Sequence, residues 1–485
     1  MRKLSEEGRR LLRQVLIEID ERLNVQLAAA LADPELQELE RTWRSLASLV
    51  EGVERSLLEG RRSGNARVRV AVRVLDVSAT EVLRDITGAM SRERTKLYGH
   101  LYSRGLDRAA GEPLGLLLVG FELGAGSFAN AIVGEVETRE IVEYFAWLGS
   151  ECLAPVVLGM SPSFLSFEDF GEIASVLPER LFHRRTARTT WLDRLRRSDE
   201  SRFLVMAMPR VLLRGPYRPA HDVDNGFGFR HAPWRSALGR GNPSQRRLRD
   251  DRHLFGSAAF PLGVVIARSF AFSSWFTYVR GVECGDDWAP DGGGVFVGSA
   301  VEDFATDSAQ VAVKPSVDVV FAERTEERLG WLGLTVLSGT SARGWSTFHS
   351  IPSFREIEGL AVSERLGAMT QYLLCACRVA HLAHRYAQTL VGSTVSARQI
   401  EAQLHDWLAV HQVDNPDTGS PLLLKRPLRG FKAEVRPDPD EGGRLLIDIW
   451  LQPHSQFSNS AANLHLVTSV ADTSRRGLPL TGGRA

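Results

Sequence analysis

Apolar positions change their period along the chain and divide it into stretches. At the start, Leu11, Leu12, Val15, Leu16, Ile19 and Leu23 recur at helical spacing. A second stripe, Leu36, Leu39, Trp43, Leu46 and Val50, follows Asp33 and Pro34, an N-cap with proline at the first helical position. The two stripes predict a helical hairpin or an angled pair over residues 1–60. The period then drops to two. Val68, Val70, Val72 and Val74 alternate with Arg67, Arg69, Ala71 and Arg73, which predicts a half-buried strand.

Residues 114–121 predict a more apolar strand, suited to the middle of a sheet. Helical and strand patterns alternate beyond it: a helix over 137–148, a strand over 156–158, a helix over 167–176 and a strand over 203–208. Ser78 and Glu81 form a capping box that opens a helix between the first two strands. This alternation predicts an α/β (α+β) fold with a mixed sheet over 61–360. Inside that span, 218–252 carries Pro219, Gly226, Gly228, Pro233 and Pro243, ends in Arg246, Arg247, Arg249 and Arg252, and has no period. It reads as a long loop. An apolar helix is expected over 262–277, a strand over 317–321, and a hairpin over 332–337 and 345–349. From 361 to 470 the pattern predicts a long helix over 363–390, a helix opened by a second capping box at Ser396 and Gln399, and strands over 431–435, 445–451 and 464–470. Residues 471–485 read as a disordered tail.

Composition limits the function classes. The 485 residues are 44% hydrophobic and 24% charged, as in ordinary globular chains. The 59 basic residues balance 59 acidic ones, which gives no electrostatic case for nucleic acid or an anionic membrane as main partner. Only five of the basic residues are lysine, and arginine suits fixed ion pairs at interfaces. Four cysteines do not make a disulfide framework, and Cys375 and Cys377 point to different sides of a predicted helix as small apolar residues. Neither a signal peptide nor a membrane span is visible, so a reducing cytoplasm is the expected location and no direct membrane insertion is expected.

The candidate chemistry is thin. Gly159, Ser161 and Ser163 follow an apolar strand as a nucleophile elbow would, but Pro162 has no N–H to lend to an oxyanion hole. Gly124, Gly126 and Ala129 match a loose dinucleotide fingerprint, yet Glu122 and Leu123 separate the apolar strand from the first glycine. Asp222 and Asp224 resemble the start of a calcium loop in which Gly226 falls one position early. His381 and His384 share a helix face without an evident third ligand. Asp286, Asp287 and Asp291 sit in a glycine-rich loop and read as solvated. The cluster Arg180, Arg184, Arg185, Arg188, Arg194, Arg196 and Arg197 is interleaved with acids and reads as an interface or a solvated face. No catalytic residue, cofactor or metal site is assigned.

The segment 191–217 carries a resemblance. It holds Trp191, Arg202, Pro209, Arg210, Leu212, Leu213, Arg214, Pro216 and Tyr217. It resembles the signature stretch of the large sheath subunit family of the bacterial type VI secretion system: Trp, then Ser-x-Asp-x-Arg-Tyr, a short apolar strand and Leu-Pro-Arg-Phe-Leu-Leu-Arg-x-Pro-Tyr. The early helix with Trp43, the blocks at 75–78, 98–102, 154–164 and 378–381, Lys425 to Arg429 with Arg426 and Pro427, and Gln452 to His454 are similar to the family in the same order. The resemblance implies a structural, non-enzymatic subunit. Its implied partners are a small sheath subunit, further copies in a helical polymer, an inner-tube protein, a baseplate and a disassembly ATPase. It also implies that terminal strands are shared between neighbours, with Leu445, Ile447, Ile449 and Leu451 as the candidate inter-subunit strand. The chain departs from the pattern in its short stretch before the first helix, in 218–252, and at Phe255 to Ala258 where the family has Trp-Gly-Asn-Ala. Two other readings stay open: a sheath-like paralogue that caps or assists without polymerising, and a dinucleotide-binding enzyme built on 124–129.

Overall fold

A computed structural model describes residues 5–471 apart from 66, 109–110, 125–133, 183–186, 218–228, 230, 232–251, 277–278, 285–289, 301, 306–310, 340–344, 391–395, 414–424, 438–443 and 454–463. The tail beyond 471, most of the loop 218–252, Asp222 to Gly226, and Asp286 with Asp287 therefore lie outside the described residues, as does the segment following Gly124.

Two long helices open the chain, α1 (Glu6–Leu31) and α2 (Pro34–Arg62). Ser5 caps α1 by accepting from Gly8 N–H, and Asp33 caps α2 by accepting from the N–H groups of Glu35 and Leu36. α3 (Ala79–Gly88) starts at the predicted capping box, and the single turn α4 (Lys96–Tyr98) runs into a π-helical stretch, Gly99–Leu106. The central layer follows: β1 (Leu117–Leu123), α5 (Glu135–Cys152), β2 (Val156–Met160), α6 (Phe170–Ser175), α7 (Ala187–Arg197), β3 (Leu204–Met208), β4 (Val211–Arg214), β5 (Leu254–Gly256) and α8 (Ala259–Ser273). Short strands β6 (Val282–Cys284), β7 (Pro290–Gly293), β8 (Val295–Val297), β9 (Glu302–Ala305) and β10 (Val311–Lys314) precede α9 (Glu323–Trp331), β11 (Leu334–Gly339) and β12 (Trp345–Phe348). The chain then forms α10 (Val362–Gly367), α11 (Thr370–Leu390), α12 (Ala397–Ala409), β13 (Leu428–Pro437), β14 (Arg444–Pro453) and β15 (Leu464–Ala471).

The main sheet has the order β1-β2-β3-β11-β12-β8. Its first four strands are parallel, and β12 and β8 continue it antiparallel. Strand alternation divides the core by face. Val157, Val205, Ala207 and Leu337 join α8 and α11 on one side. Val156, Leu158, Met206, Met208, Leu334 and Val336 join α5 and α7 on the other. Helices cover both faces, so β2 and β3 are buried along their whole length. The class is α+β with mixed sheets, as expected.

Several expectations are corrected. Residues 68–74 form no strand; Val68 and Val70 are half-buried, Val72 and Val74 exposed, and no strand among the described residues pairs with them. β1 is an edge of the sheet, not its middle. Residues 317–321 contribute one bridge, Val317 to Val211. The helix expected over 363–390 breaks between α10 and α11. There Ser353 N–H donates to Ala368 O (2.8 Å) and Thr370 N–H to Ile351 O (3.1 Å), a tertiary pairing that interrupts the helical ladder.

β14 is the middle strand of the antiparallel sheet β13-β14-β15. Both its edges are thus taken within the chain, and Ile447, Ile449 and Leu451 are buried in the same core as Ile400, Leu404 and Leu408 of α12. Leu445, Ile447, Ile449 and Leu451, the candidate inter-subunit strand, thus lie on the middle strand of this sheet. The sheet's outer strands are β13 and β15, and Val435 N–H of β13 already donates to the Glu401 carboxylate (3.0 Å).

Candidate assembly surfaces

The signature residues are not gathered into one pocket. Arg210 and Arg214, at either end of β4, each close a mostly buried ion pair. Arg210 donates through Nε to both Glu122 oxygens (2.8 and 2.7 Å) and through Nη2 to Oε2 (2.5 Å), with Asp318 at 4.0 Å. Glu122 stands near the end of β1, so this pair ties β4 to the main sheet. Arg214 grips Glu40 of α2 through Nε (2.7 Å) and Nη2 (3.0 Å) and donates through Nη1 to the carbonyls of Gly215 (3.1 Å) and Arg252 (2.9 Å). Its guanidinium lies 4.6 Å from the centre of the Tyr217 ring. Glu40 also accepts from Arg44 (2.7 Å) and from the Tyr217 hydroxyl (3.3 Å). Burial pushes the Glu40 carboxyl up, but Arg214 and Arg44 outweigh it and hold it below the usual range.

β4 is thus a staple between the sheet and α2. Pro209, which follows a cis peptide bond, places Arg210 where β3 turns into β4, and Pro216 separates the Arg214 and Tyr217 contacts. Trp191 is buried on α7, edge-on to Phe164 at 6.2 Å. Arg202 stands over Phe203 at 5.6 Å. Arg426, Pro427 and Arg429 sit at the entry to β13, where Gln412 donates to the Arg429 carbonyl (3.1 Å). The acidic halves, Glu40 and Glu122, were not singled out from sequence. Glu40 stands inside the early block that ends at Trp43, which is the signal that could have found it.

The staple fixes α2 with its most apolar stripe outward. Trp43 is 63% exposed and Leu39 56%. The buried face of α2 is instead Ser45, Leu49, Val53, Ser56 and Gly60, packed on α8. The approach is close: a Cβ on Gly52 would stand 2.7 Å from Val264 Cγ1, and one on Gly60 2.6 Å from the Ala271 carbonyl oxygen. On α1, Leu11, Leu12, Val15, Leu16, Ile19 and Leu23 are all exposed. An apolar surface of this extent marks an interaction site.

The lookalikes of active sites resolve into structure. Ser161 Oγ pairs with Ser163 Oγ (2.8 Å), not with an imidazole. Gly124 is required by the same turn, because a Cβ there would fall 1.8 Å from Ser161 Oγ. His381 donates from Nε2 to the Cys152 carbonyl (2.9 Å), and burial pulls its pKa down to about 4. Gln388 donates to His384 Nε2 (2.9 Å). Cys375 and Cys377 enter different core clusters, and burial pushes the thiols of Cys152 and Cys375 up to about 12. Among the described residues, no cluster of three or more His, Cys, Asp or Glu could hold a metal ion. No described helix is long and apolar enough to cross a membrane.

A large mixed-sheet body, a C-terminal antiparallel sheet packed into the same core and apolar stripes exposed on two long helices suit a protein built to assemble. Residues 13–355 match the family model described as EvpB/VC_A0108 tail sheath N-terminal domain, and residues 361–470 match its gpW/gp25-like domain. The chain belongs to this type VI secretion tail-sheath family. It is similar to the type VI secretion system sheath protein TssC1 of Pseudomonas aeruginosa PAO1, 23% identical over 477 residues that cover 96% of this chain and 87% of the relative. A solved sheath tail protein from Desulfitobacterium hafniense aligns over 71% of this chain and 62% of its own length at 8% identity, with a TM-score of 0.30.

Proposed function

We propose that the chain is a non-enzymatic building block of a contractile sheath. It pairs with a small sheath subunit, and the pairs stack with further copies into a helical tube around an inner-tube protein, seated on a baseplate. Contraction expels the inner tube, and a disassembly ATPase recycles the spent sheath in the bacterial cytoplasm. The observation that carries this reading is the pair of exposed apolar stripes on α1 and α2, held on a frame that ion pairs make rigid. A helix presents such a face for a partner to cover. Among the described residues, the nucleophile lookalike Ser161 and the fingerprint residue Gly124 belong to one packed turn.

Co-expression with a small sheath subunit tests the proposal. The expected result is a stable heterodimer that elongates into tubes, with Leu39→Glu and Trp43→Glu blocking its formation. A folded chain that stays monomeric beside every such partner would refute it. A heterodimer that never elongates would refute the polymer and favour a capping role.

A further inference from the structure

The valine alternation at 68–74 is a strand pattern that the fold leaves unused. Among the described residues, the bond from Val68 N–H to Asn65 O (3.3 Å) is the last to reach this backbone, and none reaches residues 69–75. The segment is nevertheless held at both ends. Asn65 Nδ2 donates to Phe272 O (2.7 Å) and Ala271 O (3.2 Å) at the end of α8, and Ser78 begins the capping box of α3. Between these anchors it passes from one side of the main sheet to the other: Val70 packs against the core that holds α8, and Val77 against the core that holds α5. Arg73 pairs with Glu112, ahead of β1, so the crossing lies on the β1 side of the sheet. β1 is an edge strand, and no described strand pairs with its outer side. Val72, Val74 and Leu75 are 37%, 66% and 50% exposed.

An extended chain would satisfy both features of this segment. A row of unpaired backbone groups calls for a strand, and a period of two gives that strand one apolar and one charged side. The charged side is Arg67, Arg69 and Arg73, of which Arg73 already takes an acid, Glu112. The same segment of a second copy is a poor fit. Antiparallel pairing about Ala71 sets Arg69 against Arg73, and parallel pairing in register sets each arginine against its own copy, so like charges meet. The complement is a strand of a different chain, with apolar residues on the valine side and Asp or Glu on the arginine side.

We propose that the small sheath subunit lays such an apolar-and-acidic strand along residues 68–74, which then become a β-strand. The proposal rests on the sheath reading above. Its test is hydrogen–deuterium exchange, read by mass spectrometry on the chain alone, on the heterodimer isolated by gel filtration, and on the polymer. Amides of 68–74 are expected to exchange freely in the chain alone and to slow by about a hundredfold or more in the heterodimer. Ala71→Pro and Val72→Pro remove N–H groups that leave a strand on opposite edges, and the one facing the partner is expected to weaken capture of the small subunit by about tenfold or more. Arg67→Glu with Arg69→Glu should weaken it similarly, and all three variants should melt like wild type when alone. Amides that stay unprotected in the heterodimer, or both proline variants capturing like wild type, overturn the proposal while the sheath reading stands. So does protection already present in the chain alone, because a segment of this chain then fills the place. So does protection that appears only in the polymer, because the strand then comes from a further copy. Wild-type chain that captures no small subunit counts against the sheath reading itself and takes the proposal with it.

Discussion

Arg210→Ala is expected to be among the costliest single changes in the fold. The side chains of Arg210 and Glu122 are only 14% and 12% exposed, and among the described residues Arg210 is the one hydrogen-bond donor to the Glu122 carboxylate. Removing it strands a desolvated negative charge with Asp318 nearby. Breaking such a pair from one side costs about 3–5 kcal/mol, whereas replacing both partners by apolar groups of similar volume is often near neutral. The variant Arg210→Met with Glu122→Leu is therefore expected to regain most of what Arg210→Ala loses. Arg214→Ala should cost less, about 1–3 kcal/mol, because Glu40 keeps Arg44 and the Tyr217 hydroxyl. Urea unfolding followed by tryptophan fluorescence reports these differences, since Trp147 and Trp191 are buried in the same cluster. Arg210→Ala within about 1 kcal/mol of wild type, or Arg214→Ala costing more than Arg210→Ala, would refute the staple as described.

Three other outcomes follow from particular contacts. His381 has a folded pKa of about 4 against an ordinary 6.5, so the fold favours its neutral form; stability is full above pH 6.5 and falls by about 1.4 kcal/mol per pH unit as pH drops toward 4. Urea midpoints between pH 7 and 4.5 check this, and His381→Gln should flatten the slope. Gly60→Val should lower stability by about 1–3 kcal/mol, measured by thermal melting, because the new side chain meets the Ala271 carbonyl oxygen. Trp43→Ser should shift the melting of the isolated chain by no more than about 0.5 kcal/mol yet weaken capture of a small sheath subunit in a pull-down, since the indole is exposed before assembly.

The parallel strands β2 and β3 were legible because continuous apolar runs are what a doubly covered sheet requires. The hairpin β11–β12 and the three C-terminal strands were legible from alternation and turns. The misreadings share one cause: an apolar pattern states that a face will be covered, not that the same chain covers it. On α2 the conspicuous stripe of Leu39 and Trp43 faces outward. The true packing face uses Ser45, Gly52, Ser56 and Gly60, which carry little hydropathy but let α8 approach closely. The alternation at 68–74 is real, yet the described fold offers it no strand partner. The apolar residues of β14 are buried within the chain, in one core with α11 and α12. The arginines of the signature could be named from sequence, but their partners Glu40 and Glu122 lie 174 and 88 residues away, and only the fold brings them together.

In the proposed reading this chain builds a tube. Negative-stain electron microscopy of the chain co-expressed with a small sheath subunit tests it most directly. Hollow helical tubes are expected that disappear when Trp43 and Leu39 are both changed to glutamate; a monodisperse, folded chain that forms no tube with any such partner would refute the sheath reading.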